Sequence, residues 1–520
     1  MINGEAKLAQ THAGDIKACC GHKGIYLHIR VVIGILVGLS RRQLLGGGVN
    51  FQQLDGVSMK TNLRFHFWLA LSILAASFRA MAGDASLAPT PPMGWNSWDS
   101  YGQMLNEAQF KANAEWMAGH LKRYGWQYVV IDEGWYLQNP SSDPKEYKFA
   151  LNSDGRFIPD TKRFPSAAGR AAGVSLGFAP LSKYVHSLGL KFGIHILRGI
   201  PREAVARNTP IVASSYHAQD ASDPSDVCPW NTYNWGVKSN PAGQAYYDSI
   251  FKLYASWGVD FVKVDCIADH PYKPEEIRMI HEAIKKSGRP MVLSLSPGPT
   301  ALGNADEVSK YSEMWRICDD FWDHWSKWEK HEWSQSLYQQ FATTAKWAPH
   351  IKPGGWPDAD MLPLGHLGPS PGAGEVRDTR FSEDEQRTMM TLWSIFRSPL
   401  MMGGDLPSTD AWTESLLTNP EVIAVNQQSH ANRVVISTES AAIWTAQPDQ
   451  GGGYYLAVFN IGESEQRIRY EWKDLGLTGA SYKLRDLWTR KNMGDAQELT
   501  VGLKPHASAF FRITVAAMHH

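Results

Sequence analysis

A short apolar segment that ends in charged residues constrains the fold of this chain more than any other feature. Residues Phe261 to Cys266 have the sequence Phe-Val-Lys-Val-Asp-Cys and follow a Gly-Val-Asp turn, a pattern typical of a buried β-strand. Apolar residues on both faces favour a place inside a parallel sheet. Charged groups are rare there unless they are paired or used, so Lys263 and Asp265 are candidate functional residues. The alternative is an exposed Asp265 that caps the following loop.

Strands and helices alternate through most of the chain. The pattern predicts eight strands, at Met93–Trp98, Tyr128–Asp132, Lys191–Leu197, Phe261–Cys266, Pro290–Ser296, Glu313–Ile317, Gly355–Leu362 and Pro399–Met402. It predicts helices at Asn106–Arg123, Leu181–Ser187, Ala242–Trp257, Pro274–Lys286, Trp325–Trp347, Phe381–Phe396 and Ser415–Val425. A long irregular segment, Arg198–Asn240, interrupts the alternation. Repeated βα units predict an α/β protein with a (β/α)8 TIM barrel over residues 85–428, whose chemistry lies at the C-terminal ends of the strands.

The last part of the chain has a different pattern. Short β-rich runs, among them Val434–Ser437, Tyr454–Phe459, Gln466–Trp472 and Ala509–Val515, are separated by turns such as Gly451-Gly452-Gly453. These runs predict a C-terminal antiparallel β-sandwich over residues 429–517, with no evident catalytic residue.

The N-terminus has the pattern of a secretory signal peptide. Met59–Arg64 is basic, Phe65–Ser77 is apolar, and Ala80-Met81-Ala82 is a small-residue cleavage site. Residues 59–82 are therefore predicted to be a signal peptide, and the mature protein to be secreted or periplasmic without a membrane anchor. We interpret residues 1–58 as an upstream extension from a wrongly assigned start codon. Their apolar run, Val31–Leu39, is too short to span a membrane.

Composition and motifs exclude several kinds of partner. The 520 residues carry a net charge of -1, which gives no support for nucleic acid or a membrane surface as partner. The five cysteines, three of them after the predicted cleavage site, indicate neither a disulfide framework nor a metal site. No phosphate-binding loop is present, so we expect no cofactor. The 21 tryptophans suit a carbohydrate cleft, since sugar rings stack on indole, although tryptophan also fills cores.

Polar and aromatic residues collect where the predicted strands end. These residues are Trp95, Asn96, Trp98, Asp99, Asp132, Glu133, Trp135, His195, Lys263, Asp265, Ser294, Ser296, Arg316, Asp319, Asp320, Asp323, Trp356, Asp358 and Asp360. Carboxylates together with basic residues and indoles suit a polyhydroxylated substrate. The simplest chemistry is then a pair of carboxylates acting on a glycosidic bond. One attacks the anomeric carbon, and the other protonates the leaving oxygen and later activates water.

Five motifs, in this order, resemble those of the α-galactosidase (melibiase) family, glycoside hydrolase family 27. They are Pro91–Trp98, Ile131–Trp135, Lys263–Asp265, Trp315–Asp320 and Gly354–Leu362. The resemblance runs from about Pro91 to Asn426. It implies a retaining, exo-acting α-galactosidase with a carbohydrate substrate, built as a (β/α)8 barrel followed by a β-domain.

The resemblance also implies roles for individual residues. Asp265 matches the nucleophile, and Lys263 matches a ligand of the sugar hydroxyls. Asp320, four residues after Arg316, matches the acid/base, with its neighbour Asp319 as the rival. The remaining expected ligands are Arg316 and Asp360, and Trp95 or Trp98 is expected to form the apolar wall of the pocket.

Three positions depart from the family pattern. Asp132-Glu133 stands where Asp-Asp is usual, and His195 stands where tyrosine is usual. The loop after strand five, Ser294–Pro299, lacks the usual Cys-Glu-Trp. We keep Asp132, Glu133, His195 and Ser296 as predicted substrate ligands, although a core or rim histidine is the alternative for His195.

These departures leave three hypotheses for the function. The first is an α-galactosidase. The second is a β-L-arabinopyranosidase, whose sugar lacks the C5 hydroxymethyl group of galactose, because Glu133 is one methylene longer than aspartate and would fill that room. The third is a sugar-binding protein without catalysis.

Overall fold

The computed structural model describes residues 86–171, 174–326, 334–368 and 375–516. The predicted upstream extension (1–58) and signal peptide (59–82) lie outside the described residues. Within those described ranges, no helix has both the length and the apolar character needed to cross a membrane.

Eight parallel strands form one curled sheet. They are β1 (Met93–Asn96), β2 (Tyr128–Ile131), β3 (Lys191–Leu197), β4 (Phe261–Asp265), β5 (Val292–Leu295), β6 (Met314–Arg316), β7 (Trp356–Asp358) and β8 (Leu400–Met402). Their order in the sheet is β7-β6-β5-β4-β3-β2-β1-β8, which is chain order apart from the last strand. A parallel bridge joins Leu362, which follows β7, to Met402 of β8. The predicted (β/α)8 barrel is therefore confirmed.

Helices follow the strands along the chain. They are α1 (Glu107–His120), α2 (Ala179–Ser187), α3 (Pro241–Trp257), α4 (Pro274–Ser287), α5 (Ala305–Tyr311), α6 (Leu337–Trp347), α7 (Glu383–Phe396), α8 (Ala411–Leu417) and α9 (Pro420–Gln427). The predicted start of α6 at Trp325 is wrong, because Ser336 forms a capping box with Gln339 and the helix begins after it. The predicted single helix Ser415–Val425 is also wrong. Asn419 caps a new helix there, and Pro420 occupies its first position.

The inside of the barrel is apolar at one end and charged at the other. Val130, Phe261, Met314 and Trp356 belong to one buried apolar cluster. Because side chains alternate along a strand, the residue two positions further on lies on the same face. Those residues are Asp132, Lys263, Arg316 and Asp358. The strand sequences themselves therefore direct the charged groups to the C-terminal mouth of the barrel.

The C-terminal part is antiparallel, as predicted. Its strands are β9 (Ser429–Ser437), β10 (Ala441–Pro448), β11 (Tyr454–Asn460), β12 (Gln466–Glu471), β13 (Tyr482–Asp486), β14 (Lys491–Ala496), β15 (Glu498–Leu503) and β16 (Ser508–Val515). Six form the sheet β9-β10-β11-β16-β13-β14, and β12 pairs with β15. Ile443 faces the core of this domain, whereas Trp444 packs edge-on against Phe396 of α7. The β-domain is thus anchored on the barrel.

Candidate active site

Asp265 is the last residue of β4 and lies at the barrel mouth. One of its carboxylate oxygens, Oδ2, is 3.7 Å from Nε2 of His195, which lies on the neighbouring strand β3. Burial alone raises the pKa of Asp265, but its polar contact with His195 and the positive charges of His195 and Lys263 lower it below its ordinary value. Asp265 is therefore a carboxylate across the neutral range, as a nucleophile must be.

Cys266, directly after Asp265, forms a disulfide bond with Cys228. The sequence indicated no disulfide framework and did not predict this single bond. The partners are 38 residues apart, and only the tertiary fold brings the irregular segment Arg198–Asn240 beside the end of β4. Cys318 is buried and free. The disulfide ties that segment to the candidate nucleophile.

Asp132 and Lys263 form an ion pair beside Asp265. Lys263 Nζ donates to Asp132 Oδ2 at 2.9 Å, and Asn96 Nδ2 donates to the same oxygen at 2.7 Å. Burial raises the pKa of Asp132, but the charges of Lys263 and His195 outweigh it and lower the pKa. The negative charge of Asp132 in turn raises the pKa of Lys263, although burial opposes the rise. Both groups stay charged and form a fixed acceptor and donor at the barrel mouth.

Glu133 is held at the edge of the same cluster. Tyr233 Oη donates to Glu133 Oε1 at 2.6 Å, and Asn231 Nδ2 donates to the same oxygen. The backbone N–H of Glu133 donates to Asp132 Oδ1 at 2.8 Å. Burial raises the pKa of Glu133, against the hydrogen bond from Tyr233 and the charge of His195.

Arg316 organises the carboxylates on the β6–β7 side of the mouth. Its guanidinium group is buried, and Nη2 lies 3.1 Å from Asp320 Oδ1 and 2.8 Å from Asp360 Oδ2. Asp360 also accepts from the backbone N–H of Phe321 at 2.8 Å. Asp360 has a positive φ of 83°, a strained conformation for a residue other than glycine and one found at functional sites.

Asp319 and Asp320 differ in their surroundings. The Asp320 side chain is half exposed and contacts Arg316. Asp319 is less exposed, and burial raises its pKa to about 6. Contact with the buried Arg316 supports Asp320 as the acid/base, whereas a raised pKa is common in general acids and supports Asp319.

The prediction that Trp95 forms the pocket wall is wrong. Trp95 is 0% exposed, donates its indole N–H to Gly404 O at 2.8 Å and packs on Phe110 of α1. Its neighbour Asn96 faces Asp132, so Trp95 must face the other way, toward the helices. Trp98 is partly exposed and packs against the apolar cluster inside the barrel, so of the two predicted wall residues it is the more accessible one.

His195 and Ser296 are both buried at the mouth. His195 Nδ1 has no hydrogen-bond partner among the described residues. Burial lowers the pKa of His195, but the charge of Asp132 and the polar contact with Asp265 raise it above its ordinary value. The backbone N–H of Ser296 donates to Val264 O at 2.9 Å, so Ser296 lies beside the end of β4.

Sequence reasoning missed the residues that support the site from outside the barrel. Arg198, which follows β3, donates to the carbonyl of Cys266 at 2.6 Å and forms ion pairs with Asp226 and Glu276. Asn231 and Tyr233 hold Glu133. The only available signal was the interruption of the βα pattern by Arg198–Asn240, because a long loop in a compact domain is often functional.

Comparisons with known proteins agree with this architecture. Residues 233–428 match the family described as alpha galactosidase A, and residues 438–513 match the alpha galactosidase C-terminal beta sandwich domain. The chain is similar to the solved structure of a family 27 β-L-arabinopyranosidase from Geobacillus stearothermophilus. The identity is 47%, 84% of this chain and 98% of that chain are covered, and the TM-score is 0.77.

Two further proteins similar to this chain are described as related glycosidases. A structure from Bacillus halodurans C-125, described as a putative α-N-acetylgalactosaminidase, shares 43% identity over 82% of this chain and 97% of that chain, with a TM-score of 0.72. An α-galactosidase of Oryza sativa subsp. japonica is 27% identical over 441 residues, which are 84% of this chain and 87% of the rice protein.

Proposed function

The chain belongs to glycoside hydrolase family 27, the α-galactosidase family, and is a glycosidase, and from this premise we propose that it removes terminal β-L-arabinopyranosyl residues with retention of configuration. β-L-Arabinopyranose has the ring of α-D-galactopyranose without the C5 hydroxymethyl group. The proposal thus concerns which of two closely related sugars the pocket accepts.

The proposed reaction is a double displacement by two carboxylates. Asp265 attacks the anomeric carbon while Asp320 donates a proton to the departing glycosidic oxygen, so that a glycosyl ester forms on Asp265. Asp320, now a carboxylate, takes a proton from water, whose oxygen attacks the same carbon and releases Asp265. Two inversions give overall retention. The lowered pKa of Asp265 supports its role as nucleophile.

Charged groups around Asp265 are proposed to bind the sugar hydroxyls. The Asp132–Lys263 pair offers an acceptor and a donor on one side, and the Arg316–Asp360 pair offers the same combination on the other. His195 lies between Asp132 and Asp265, and Ser296 lies at the end of the adjacent strand. Hydrogen bonds of this kind fix the orientation of a polyhydroxylated ring.

The observation that carries the substrate assignment is Glu133 with its anchored carboxylate. Glutamate extends about 1 Å further than the usual aspartate. Because Tyr233 and Asn231 hold Oε1, the side chain is restrained in its observed position. Such a group leaves less room for a C5 hydroxymethyl, and one methylene in a pocket is worth about 10–200-fold in discrimination. The 47% identity to an arabinopyranosidase supports the same choice.

α-Galactosidase is the second candidate. The sequence pattern of the catalytic strands placed it first, and the plant relatives at 27% identity carry that name. A pocket that tolerated the hydroxymethyl group by moving the Glu133 main chain outward would favour this activity.

Assay of the purified protein and of Glu133→Asp on two nitrophenyl glycosides tests the assignment. The substrates are the β-L-arabinopyranoside and the α-D-galactopyranoside, and the readout is the ratio of their kcat/KM values. We expect the wild type to favour the arabinopyranoside and Glu133→Asp to shift the ratio toward the galactoside by at least several-fold. A wild type that favours the galactoside, with a ratio unchanged in Glu133→Asp, would refute the proposal.

We also propose that residues 59–82 are removed on export and that the mature protein has a barrel (85–428) and a β-sandwich (429–517). The basic, apolar and small-residue pattern before Gly83 supports the first part. N-terminal sequencing of the exported protein tests it, because a mature N-terminus at residue 83 is expected.

A further inference from the structure

The carboxylate that faces C5 in the proposed function is fixed by a clamp from outside the barrel. We define the clamp as Tyr233 and Asn231, which both donate to Glu133 Oε1, the tyrosine at 2.6 Å. Both belong to the irregular segment Arg198–Asn240. The main chain of Glu133 is fixed separately, since its N–H donates to Asp132 Oδ1. The clamp therefore sets the direction of the side chain alone.

Tyr233 is itself held rigidly by other aromatic rings. Its ring centroid lies 5.0 Å from that of Phe149, 5.8 Å from that of Tyr136 and 6.1 Å from that of Phe157. The hydroxyl of Tyr136 contacts that of Tyr233. Because Tyr233 donates to Glu133, its oxygen accepts from Tyr136, which gives a relay Tyr136→Tyr233→Glu133. Packed rings in a donor chain allow little rotation of the tyrosine.

The Tyr233 hydroxyl stays protonated. Burial and the negative charge of Glu133 both raise the pKa of Tyr233 well above its ordinary value. The hydroxyl therefore keeps its proton throughout the neutral range and continues to donate.

The segment that carries the clamp is tied to the candidate nucleophile at two points. Cys228, three residues before Asn231, is bonded to Cys266. Arg198 bridges the same parts of the chain, because it contacts both the Cys266 carbonyl and Asp226. The position of the clamp is thus fixed relative to Asp265, and a change of segment position would move both together.

We propose that Tyr233 and Asn231 are specificity-determining positioning residues, which hold the Glu133 carboxylate where the C5 hydroxymethyl of a hexopyranoside would lie and so select pentopyranosides. The inference rests on the proposed function, because it takes Glu133 as the residue that faces C5. Without the clamp, Glu133 is free to rotate away from the ring, and the hydroxymethyl group is then admitted.

The test compares Tyr233→Phe and Asn231→Ala with a matched control, Tyr147→Phe. The Tyr147 hydroxyl donates to Gln103 Oε1 and not to Glu133, although its ring packs edge-on against Phe149 of the same aromatic group. The readout is the ratio of kcat/KM on nitrophenyl β-L-arabinopyranoside to that on nitrophenyl α-D-galactopyranoside. We expect both clamp variants to lower the ratio about five- to tenfold, and Tyr147→Phe to leave it unchanged.

A double variant separates the clamp from a general structural role. In Glu133→Asp, the shorter side chain already leaves the room for the hydroxymethyl group, so adding Tyr233→Phe is expected to change the ratio no further. A Tyr233→Phe ratio equal to that of the wild type, or a ratio lowered equally in both backgrounds, would overturn the clamp. Tyr233→Phe keeps the aromatic packing, so it carries the test if Asn231→Ala yields no folded protein.

The two proposals fail in different ways. If the wild type favours the galactoside and Glu133→Asp leaves the ratio unchanged, the substrate assignment fails and the clamp fails with it. If Glu133→Asp shifts the ratio and Tyr233→Phe does not, only the clamp fails.

Discussion

Replacing Arg198 with methionine should destabilise the fold, and the loss should be smaller at acid pH. The Arg198 side chain is 1% exposed. It donates to the Cys266 carbonyl at 2.6 Å, to both oxygens of Asp226 at 3.0 and 2.8 Å, and to Glu276 at 2.9 Å. Methionine fills similar volume and makes none of these hydrogen bonds.

The loss of stability depends on the partners that Asp226 and Glu276 retain in the variant. Asp226 is partly exposed and keeps Lys273 at 2.8 Å. Glu276 is buried and keeps the hydroxyl of Tyr247, a neutral donor. Glu276 is therefore the carboxylate left without a direct cationic partner, and breaking a buried ion pair in this way costs about 3–5 kcal/mol.

The pH dependence follows from the pKa of Glu276. Burial raises this pKa above its ordinary value, and the charge of Arg198 opposes the rise. In Arg198→Met the pKa rises further. A carboxyl group whose pKa is higher in the folded than in the unfolded state destabilises the fold increasingly as pH rises through the folded value. At lower pH the protonated group is neutral, and the penalty shrinks.

Urea unfolding of wild type and variant at about pH 5 and about pH 8 measures the effect. The difference in unfolding free energy should be larger at the higher pH. The double variant Arg198→Met/Glu276→Gln should recover most of the loss, because the neutral amide needs no cation. An equal loss at both pH values, or no recovery in the double variant, would refute the reasoning.

Three other changes test the site. Asp320→Ala should lower kcat/KM far more on substrates with basic leaving groups than on nitrophenyl glycosides. Azide should restore turnover and give a glycosyl azide of retained configuration. If Asp319→Ala behaves this way instead, the acid/base is Asp319. His195→Gln should lower kcat/KM most below the pKa of His195, which is raised above its ordinary value by Asp132 and Asp265, and a loss that is the same at all pH values would contradict a role for the charged imidazolium. Trp95→Ala should lower the free energy of unfolding by about 3–5 kcal/mol in urea, whereas a raised KM with unchanged stability would favour a pocket wall.

Much of the barrel was predictable because its strands carry a clear local signal. β3 was predicted with its observed bounds, Lys191–Leu197, since a run of mostly apolar residues is bounded by turn signals. β10 (Ala441–Pro448) was missed, because it is buried on both faces and shows no alternation. The position of Trp95 was also predictable in principle. A period of two places Trp95 and Asn96 on opposite faces of β1.

Local sequence patterns could not predict the residues that support the site. The clamp and Arg198 act through contacts across tens of residues, and Arg198–Asn240 has no regular period. Disulfide pairing likewise depends on which loops the fold brings together. Strand-end residues were predictable because the barrel gathers them, whereas loop residues depend on the particular path of the chain.

Trapping the covalent intermediate tests the central claim most directly. The enzyme is incubated with an activated fluorinated glycoside, which slows breakdown of the glycosyl ester, and the labelled peptide is identified by mass spectrometry. The account predicts one sugar per chain, attached to Asp265, and no label on Asp265→Asn. Label on another carboxylate, or turnover by Asp265→Asn at the wild-type rate, would contradict it.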